Sequence, residues 1–517
     1  MAGPAGKGPV PGAGDDVATL PADNPYLLAI GVMLASLLQV LDSTIANVAI
    51  PHMQATLGAT PDEISWVLTS YIVAVAISMP ITGWLADRFG SRRLFILSVA
   101  GFVLSSMLCG MAQNITEMVI FRALQGATGA FISPLSQAAM IDTNKPSRQS
   151  QMMAVWGMGI MIGPIMGPIL GGWLTENWNW RSVFYVNVPL GILSLAILIT
   201  QLPSRAILNR RFDITGFALL AITLTSIQLL LDRGNHIDWF ASLETWVYAF
   251  LGVSGAWMTL IHLTTAREPL FDRKLFNDPN YVSAIALSAA IGVVMFATMA
   301  LLPPMLQRLF GYGVIDTGEA LMPRGIGTLI TMQISGYLVR RGVDPRTMIA
   351  LGFSIAALSL WEMSQWSLQT DYSHIAWSGF IQGIGMGLIF MPMNASAFAT
   401  IAPHLRTDGS SLLNLSRSIG SSIGISIVTT MLARNLQVSH SDLAAHVTPS
   451  FMQIVDFSTL DRFQDVGEAA LRMVDAEVNR QAAMIAYLND FYLMMWMTLF
   501  TVPLVGFMRR ANLRRIG

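Results

Sequence analysis

The sequence contains little charge for its length. Of 517 residues only 12% are Asp, Glu, Lys or Arg, whereas 53% are hydrophobic. A soluble domain carries about twice that share of charge. The mean hydropathy of +0.55 comes from long tracts that hold almost no charge. This composition excludes an ordinary soluble protein and is typical of a polytopic membrane protein.

Cysteine is also scarce, because Cys109 is the only one. A single cysteine excludes an internal disulfide framework and a thiolate metal site. The 7 histidines are scattered without metal-ligand spacing, and the sequence has no GxxxxGK[ST] loop for a nucleotide. These absences disfavour a membrane enzyme and direct driving by ATP. We therefore expect no cofactor and no nucleic-acid partner.

Fourteen apolar runs are long enough to cross a bilayer, for which a helix needs roughly 20 residues. Because backbone N–H and C=O groups without hydrogen-bond partners cannot face lipid, each run predicts a helix. The weakest candidates are 318–338, which contains Glu319 and Arg324, and the short run 214–231. The runs lie near 25–47, 63–85, 94–112, 116–140, 152–174, 182–202, 214–231, 243–264, 281–303, 318–338, 347–366, 374–401, 411–432 and 485–508.

Basic residues concentrate in alternate loops, and this pattern predicts the orientation. The loops after the second, sixth and tenth runs each hold three arginines, and those after the fourth and eighth runs hold two and three basic residues. The loops of the other side hold 7 arginines, of which 4 lie in one long loop. By the positive-inside rule both termini are cytoplasmic, and an even number of crossings agrees with that. The start of the sequence lacks the basic and apolar regions of a cleaved signal peptide and predicts a disordered tail.

Two halves of the chain resemble each other. "GWLADRFGSRR" follows the second run and "GYLVRRGVDPR" follows the tenth, while "FRALQGATGA" in the fourth run resembles "FIQGIGMG" in the twelfth. An offset of eight runs predicts two six-helix bundles with two helices inserted between them, and a substrate site near the midplane. The predicted segments are a disordered cytoplasmic tail at 1–24, a bundle at 25–202, the inserted helices at 203–280, a bundle at 281–508 and a basic cytoplasmic tail at 509–517.

Asp42, in "LQVLDSTIANVAIP", and Arg122 are ionisable residues deep inside predicted helices. A charge at that depth costs roughly 2.5–3.5 kcal/mol even on the lenient insertion scale, which indicates a function. A rise of 1.5 Å per residue places both at a similar depth in the outward half, where they can pair. Three interpretations stay open: a fixed structural ion pair, an aspartate that gains and loses a proton as the arginine moves, and a cation contact in the substrate path.

Other ionisable residues inside the runs give weaker indications. Glu319 and Arg324 share a helix but are five residues apart, so they point in different directions. We assign Arg324 to the substrate path with Asp42 and Arg122. Glu362 is expected to reach headgroup water, and Arg417 to reach the cytoplasmic interface by snorkelling.

The fifth run, "GMGIMIGPIMGPILGGWL", has a glycine at every fourth position. Small residues at this spacing let helices approach closely, and prolines bend them. One interpretation is packing alone, and the other is a hinge or a seal against leakage. The residues concerned are Gly163, Pro164, Gly167, Pro168 and Gly171.

A long loop at about 433–484 is predicted to be external. Its apolar residues recur at three to four positions, so it contains at least one amphipathic helix. That helix either lies on the membrane surface or forms a docking surface for an extracytoplasmic partner.

Several of these motifs resemble one family. "GWLADRFGSRR" resembles the signature loop of the major facilitator superfamily, and "FRALQG" its fourth-helix motif. "GPIMGPILGG" is similar to the fifth-helix motif of antiporters. "LDSTIANVAIP", "LLLDRG" and "WNWRSVFYVNVPLG" resemble the fourteen-span drug:proton antiporters of EmrB/QacA type. The resemblance extends over about 25–508 and implies an all-α integral membrane protein of the major facilitator fold.

The resemblance implies a secondary transporter, driven by the proton gradient, that exports amphipathic compounds from the bacterial inner membrane. The alternative is an exporter of one endogenous metabolite, such as a siderophore or a fatty acid. A periplasmic adaptor and an outer-membrane channel are the implied partners. Val339 stands where the second copy of the loop would have its aspartate. The implied proton or substrate path is Asp42, Arg122, Arg324, Glu319 and Asp232, and the implied cytoplasmic latch is Gly83, Asp87, Arg88, Gly90, Arg92 and Arg93.

Overall fold

The computed structural model describes residues 17–205, 207–208, 210–234, 239–446 and 464–509. Within these ranges the regular structure is entirely helical and contains no β-strand. A helix coincides with each of the fourteen predicted runs. This agrees with the requirement that a chain in lipid satisfies its backbone hydrogen bonds within each segment.

Between residues 17 and 205 the chain forms nine α-helices. Asn24 caps the first, and Thr60 and Glu63 form a capping box at the start of the second. The second predicted run is interrupted at Met79–Ile81, where Pro80 has no N–H to continue the α-helical bonds. The helices are α1 Pro25–Leu57, α2 Pro61–Ser78, α3 Thr82–Phe89, α4 Ser91–Met111, α5 Ile115–Gly129, α6 Ile132–Asp142, α7 Pro146–Asn177, α8 Ser182–Tyr185 and α9 Asn187–Gln201.

The remaining described residues form eight α-helices. The first two of them come between the two halves in the order of the chain. The last two are 40 and 36 residues long, about 60 and 54 Å at 1.5 Å per residue, so both extend beyond a membrane core of about 30 Å. The helices are α10 Ile214–Arg233, α11 Leu243–Thr265, α12 Pro279–Leu309, α13 Val314–Arg340, α14 Pro345–Met363, α15 Tyr372–Ala399, α16 Arg406–Ala445 and α17 Gln464–Leu499.

In the described part of the chain, 11 helices are long and apolar enough to cross a membrane. The three predicted runs outside that set coincide with α13, α14 and α16. The helix α14 has 19 residues and holds Arg346 and Glu362 near its two ends. In α13 and α16 the polar side chains include Arg324 and Arg417, which face the interior of the protein rather than lipid.

The helix ends lie on two faces. We call the face where α1 begins the basic face, and the face where α1 ends the opposite face. On the basic face the loops contact one another: Leu208 N–H donates to the Asp87 carbonyl at 2.9 Å, and Arg346 donates to the Met508 carbonyl at 3.0 Å. The arginine-rich loops of the sequence all lie on this face.

The two halves use the same helix pairing. In the first half α7 packs on α1, and a Cβ built on Gly167 would lie 2.1 Å from the Thr44 hydroxyl oxygen. In the second half α16 packs on α12, and a Cβ built on Gly424 would lie 2.7 Å from the Val293 carbonyl oxygen. In both places the absence of a side chain allows the close approach.

We expect Gly167→Ala to destabilise the protein, because its added methyl group overlaps Thr44. Overpacking of a close contact costs about 1–3 kcal/mol. Thermal unfolding of the purified protein in detergent should show a lower Tm. Gly506→Ala is the matched control, since a Cβ there meets nothing within 4 Å. Equal Tm values for the two variants would contradict the prediction.

Candidate functional site

A cavity of about 870 Å³ lies between the two halves of the chain. Its walls come from α1, α2 and α7 on one side and from α12, α13 and α16 on the other. His52, Glu176 and Gln307 line it close to the opposite-face ends of their helices. The cavity therefore extends toward the opposite face.

The cavity wall is mainly apolar and rich in methionine. Flexible thioether side chains suit surfaces that accept apolar ligands of varied shape. The sequence revealed how abundant methionine is but not where it lies. The methionines that line the cavity are Met79, Met161, Met295, Met299 and Met386.

A network of buried polar side chains closes the cavity toward the basic face. Ser133, at the cavity floor, donates to the Asn414 side-chain oxygen at 3.0 Å. Below it the Gln137 amide donates to Asn394 at 2.6 Å, and Ser410 donates to the Gln137 side-chain oxygen at 2.6 Å. Since α6 belongs to the first half and α15 and α16 to the second, these bonds join the two halves.

Asp42 and Arg122 form a buried ion pair. The Arg122 Nη1 atom lies 2.7 Å from Asp42 Oδ2, and both residues are 0% exposed. The Arg122 Nε atom also donates to the Val67 carbonyl at 3.1 Å, and the guanidinium lies 4.3 Å from the centre of the Tyr71 ring. The pairing expected from their depth in the sequence is therefore present.

Two amides complete the bonding of Asp42, and sequence reasoning gave neither of them a role. Gln125 Nε2 and Asn187 Nδ2 donate to Asp42 Oδ1 at 2.8 and 2.7 Å. Asn187 also donates to Ser106 at 3.0 Å, which fixes its orientation. Gln125 stands one turn after Arg122, and this spacing on a shared helix face was the signal available in the sequence.

The ion pair meets the cavity through its arginine. Arg122 lines the cavity wall, whereas Asp42 lies behind it and is not part of the wall. The Arg122 Nη2 atom has no hydrogen-bond partner in the described part of the chain. In this structure Arg122 therefore separates Asp42 from the cavity.

The other predicted path residues divide into two groups. Arg324 and Asp232 line the cavity, and Asp232 accepts a hydrogen bond from Thr69. Glu319 is exposed and lies outside the cavity wall. Arg417 differs from expectation, since it lines the cavity instead of reaching the membrane interface. Its side chain donates to Asn414 at the cavity floor.

The signature loop contacts the second half of the chain through Gly83. A Cβ at Gly83 would lie 1.5 Å from the Asp408 Oδ1 atom, so only glycine leaves room for this carboxylate. Asp408 is paired with Arg210 at 2.8 Å, and Asp87 lies 3.8 Å from the same guanidinium. Arg210 also donates to the Leu270 carbonyl. The sequence named Gly83 and Asp87 as part of a cytoplasmic latch, which stays a prediction, and it named neither Asp408 nor Arg210.

One arginine of the same loop connects it to another helix of the first half. Arg92 donates to the Ile199 carbonyl at 2.5 Å and so attaches the loop to α9. Arg88 and Arg93 are exposed. Gly90 has a φ of +87°, a conformation that favours glycine, at the turn between α3 and α4.

A second ionic contact closes the basic face. Asp142, at the end of α6, lies 2.5 Å from Arg205 and 2.8 Å from Arg406 at the start of α16. The backbone N–H of Leu20 donates to the Asp142 carbonyl at 2.8 Å. Residues 17–24 of the predicted disordered tail are therefore bound against the basic face, and residues 1–16 lie outside the described residues.

The glycines of α7 pack against α1. A Cβ at Gly163 would lie 2.9 Å from Val40, and one at Gly171 would lie 2.9 Å from Ile45. Pro164 and Pro168 line the cavity, and α7 continues through both. The glycines thus have a packing role, and a hinge or seal at these prolines stays a prediction.

The predicted external loop is largely a continuation of two helices. α16 continues to Ala445 and α17 begins at Gln464, and His440 lies 3.5 Å from Asp475 between them. This helical hairpin projects from the opposite face, so the described part of the loop does not lie along the membrane surface. Residues 447–463 lie outside the described residues.

Comparison with known proteins agrees with this architecture. Residues 32–425 match the model of the Major Facilitator Superfamily. The chain is 35% identical to the multidrug export protein EmrB of Escherichia coli (strain K12), over 82% of this chain and 83% of that protein. It is 34% identical to the fatty acid resistance protein FarB of Neisseria gonorrhoeae, over 80% and 82%. The solved structure of the human organic anion transporter MFSD10 matches with a TM-score of 0.58 and 13% identity, covering 92% of this chain and 99% of that one.

A multi-pass helical fold with a central cavity between two halves defines a membrane transporter and not an enzyme. The chain belongs to the major facilitator superfamily and, within it, to the drug:proton antiporters of EmrB/QacA type. The family resemblance found in the sequence motifs is thereby confirmed. The prediction that the chain is a multidrug efflux transporter is confirmed at the level of the family.

We expect Asp142→Asn to favour a state that is open at the basic face, because two arginines lose their counter-charge there. The free-energy difference between the closed and open states should change by about 1–3 kcal/mol, the usual size of such a coupling. The measurement is the distance between spin labels on Lys145→Cys and His404→Cys, with Cys109 replaced by serine. The distance should lengthen in the variant.

Asp371→Asn is the control for that experiment, since Asp371 is exposed on the opposite face. It should leave the distance distribution unchanged. A distribution in Asp142→Asn that matches the parent protein would show that this contact does not hold the basic face closed.

Proposed function

We propose that this chain is a proton-coupled antiporter that exports amphipathic, lipophilic compounds across the bacterial inner membrane. The observation that carries the proposal is the buried Asp42–Arg122 pair, which meets the central cavity through Arg122. At about 870 Å³ the cavity has the size of a drug-sized ligand site. Its methionine-rich wall suits apolar ligands of varied shape.

The proposed topology has fourteen crossings, with both termini in the cytoplasm. The arginine-rich loops support this orientation through the positive-inside rule. The basic face is then cytoplasmic, and the cavity of this structure faces outward. Alternating access would open the polar network and the ion pairs of Asp142 and Asp408 as the opposite face closes.

Proton coupling would act through the ion pair. In the outward-facing state, movement of Arg122 gives Asp42 access to protons from outside. Return of Arg122 in the inward-facing state displaces the proton to the cytoplasm. One proton moved across about 150 mV supplies about 3.4 kcal/mol, which supports a gradient of about a few hundred-fold for a neutral substrate.

A single endogenous metabolite is the second candidate substrate. The similarity to FarB, whose name refers to fatty acid resistance, favours this alternative. A panel of unrelated toxic amphipaths separates the two candidates, because only a multidrug exporter responds to many of them.

We expect proton release from energised inside-out vesicles when lipophilic cations, weak acids or dyes are added. Asp42→Asn should abolish this release, because the amide cannot bind and release a proton. The readout is the fluorescence of a pH-sensitive dye in the vesicle lumen. Asp62→Asn, an exposed residue at the opposite face, is the control and should behave as wild type.

Two results would contradict this assignment in different ways. Release that survives in Asp42→Asn would make the ion pair structural. No release from wild type with any compound of the panel would contradict proton-coupled multidrug export itself.

A periplasmic adaptor is the proposed partner of the helical hairpin, with an outer-membrane channel beyond it. Support comes from the hairpin's length and its projection from the opposite face. The test replaces residues 441–474 by a short Gly-Ser linker. This linker joins His440 to Asp475, whose side chains already lie 3.5 Å apart. We expect drug resistance of intact cells to fall while transport by vesicles persists. Loss of both activities, or of neither, would contradict an adaptor role.

A further inference from the structure

The charged side chains of the cavity wall are unevenly placed. Glu176 and Asp232 line the wall at the next-to-last positions of α7 and α10, near the opposite face. Arg324 and Arg417 lie deeper. Arg324 is about 15 Å along α13 from its end at the opposite face, and Arg417 is about 16.5 Å along α16 from its end at the basic face. The mouth of the cavity is therefore acidic and its deep part basic.

The two deep arginines have few protein partners. Arg324 donates to the Met295 carbonyl at 3.3 Å. Arg417 donates to the Asn414 side chain and lies 5.6 Å from the centre of the Phe390 ring. Neither forms an ion pair with a carboxylate in the part of the chain that the structure describes. Because a guanidinium has five N–H donors, most donors of both residues are available to a ligand.

Helix α12 shows that the two arginines lie at a similar depth. The Arg417 carbonyl contacts α12 at Gly292, where a built Cβ would lie 2.2 Å away. The Arg324 side chain contacts the same helix at the Met295 carbonyl. These positions are about 4.5 Å apart along the helix axis. The Arg417 backbone and the Arg324 side chain therefore reach α12 at a similar depth, and both residues line the same cavity.

The third arginine of the wall does not change this balance. The charge of Arg122 is neutralised by Asp42 at 2.7 Å. The deep cavity therefore carries the uncompensated charge of Arg324 and Arg417. In a site with low-dielectric walls such charges concentrate the field and attract anions.

We infer that the deep cavity binds a monoanionic amphipath, with its carboxylate or similar oxyanion at Arg324 and Arg417. Guanidinium groups form strong charge-assisted hydrogen bonds to such headgroups. The apolar tail then extends along Phe296 and Met299, which line the same wall. This inference rests on the proposed function, because it names the substrate class of the proposed export cavity.

The charge of the ligand has a consequence for transport. Exchange of one outgoing anion for one incoming proton transfers two charges per cycle, whereas exchange of a neutral compound transfers one. Export of the anion is therefore the more sensitive of the two to membrane potential.

The test compares three probes with the same chain: octanoate, 1-octanol and octyltrimethylammonium. Binding to the full chain in lipid nanodiscs is measured by calorimetry at pH 8, with empty nanodiscs subtracted. We expect octanoate to bind at least about tenfold more tightly than either other probe. Arg324→Gln and Arg417→Gln should remove this preference, whereas Arg324→Lys should retain part of it. The control is Arg267→Gln, an exposed residue that should leave binding unchanged.

Each outcome decides between the two proposals. Equal binding of all three probes, or an anion preference that survives both glutamine variants, overturns the inference. If octyltrimethylammonium nevertheless releases protons from wild-type vesicles, the proposed function stands and only the inference of an anion site fails. If no probe binds and none releases protons, both proposals fail. If a glutamine variant has a lowered Tm, the result for Arg324→Lys decides. A preference for octanoate that persists in Arg324→Lys supports the inference, and loss of that preference overturns it.

Discussion

The structure depends on one constraint: a charge inside a low-dielectric protein needs a counter-charge, a hydrogen-bond partner or water. Asp42 meets it with Arg122, Gln125 and Asn187, all within 2.8 Å. Such a pair is held by its surroundings, because separating it leaves two uncompensated charges. A movement that separates Asp42 from Arg122 must supply another partner to each of the two charges. In this geometry the cavity, with its water or ligand, is the available partner for Arg122.

The same constraint explains how the basic face can close and open again. At the cavity floor the hydrogen bonds that join the two halves are made by neutral side chains, among them Ser133, Gln137 and Asn414, which water can solvate when the network opens. The carboxylates of Asp142 and Asp408 are buried, but Arg205 and Arg210, which pair with them, are partly exposed to water. Opening at this face therefore separates neutral groups at the cavity floor and ion pairs in which one partner already contacts water, and both features keep its cost low. This arrangement suits a reversible gate better than a permanent seal.

Sequence reasoning recovered the parts of the site that carry a local signal. The pairing of Asp42 with Arg122 followed from depth alone, since each charge lies in an apolar run. Asn187 has no such signal, because an amide in a membrane helix does not stand out by charge. The Asp142–Arg406 contact joins residues 264 positions apart, and the Asp408–Arg210 contact spans 198. Both depend on how the halves meet, which no periodicity in the sequence encodes.

The two halves of the cavity carry different electrostatics although they share a helix arrangement. The first half presents a neutral ion pair, and the second presents two arginines without carboxylate partners in the described part of the chain. A proton at Asp42 and an anion at Arg324 and Arg417 would then occupy different walls of one cavity. Such sites interact through the field of the cavity and through motion of the halves, without sharing a ligand atom. Under the proposed function, coupling would not require proton and substrate to compete for a single carboxylate, because Arg122 would transmit the state of Asp42 to the cavity.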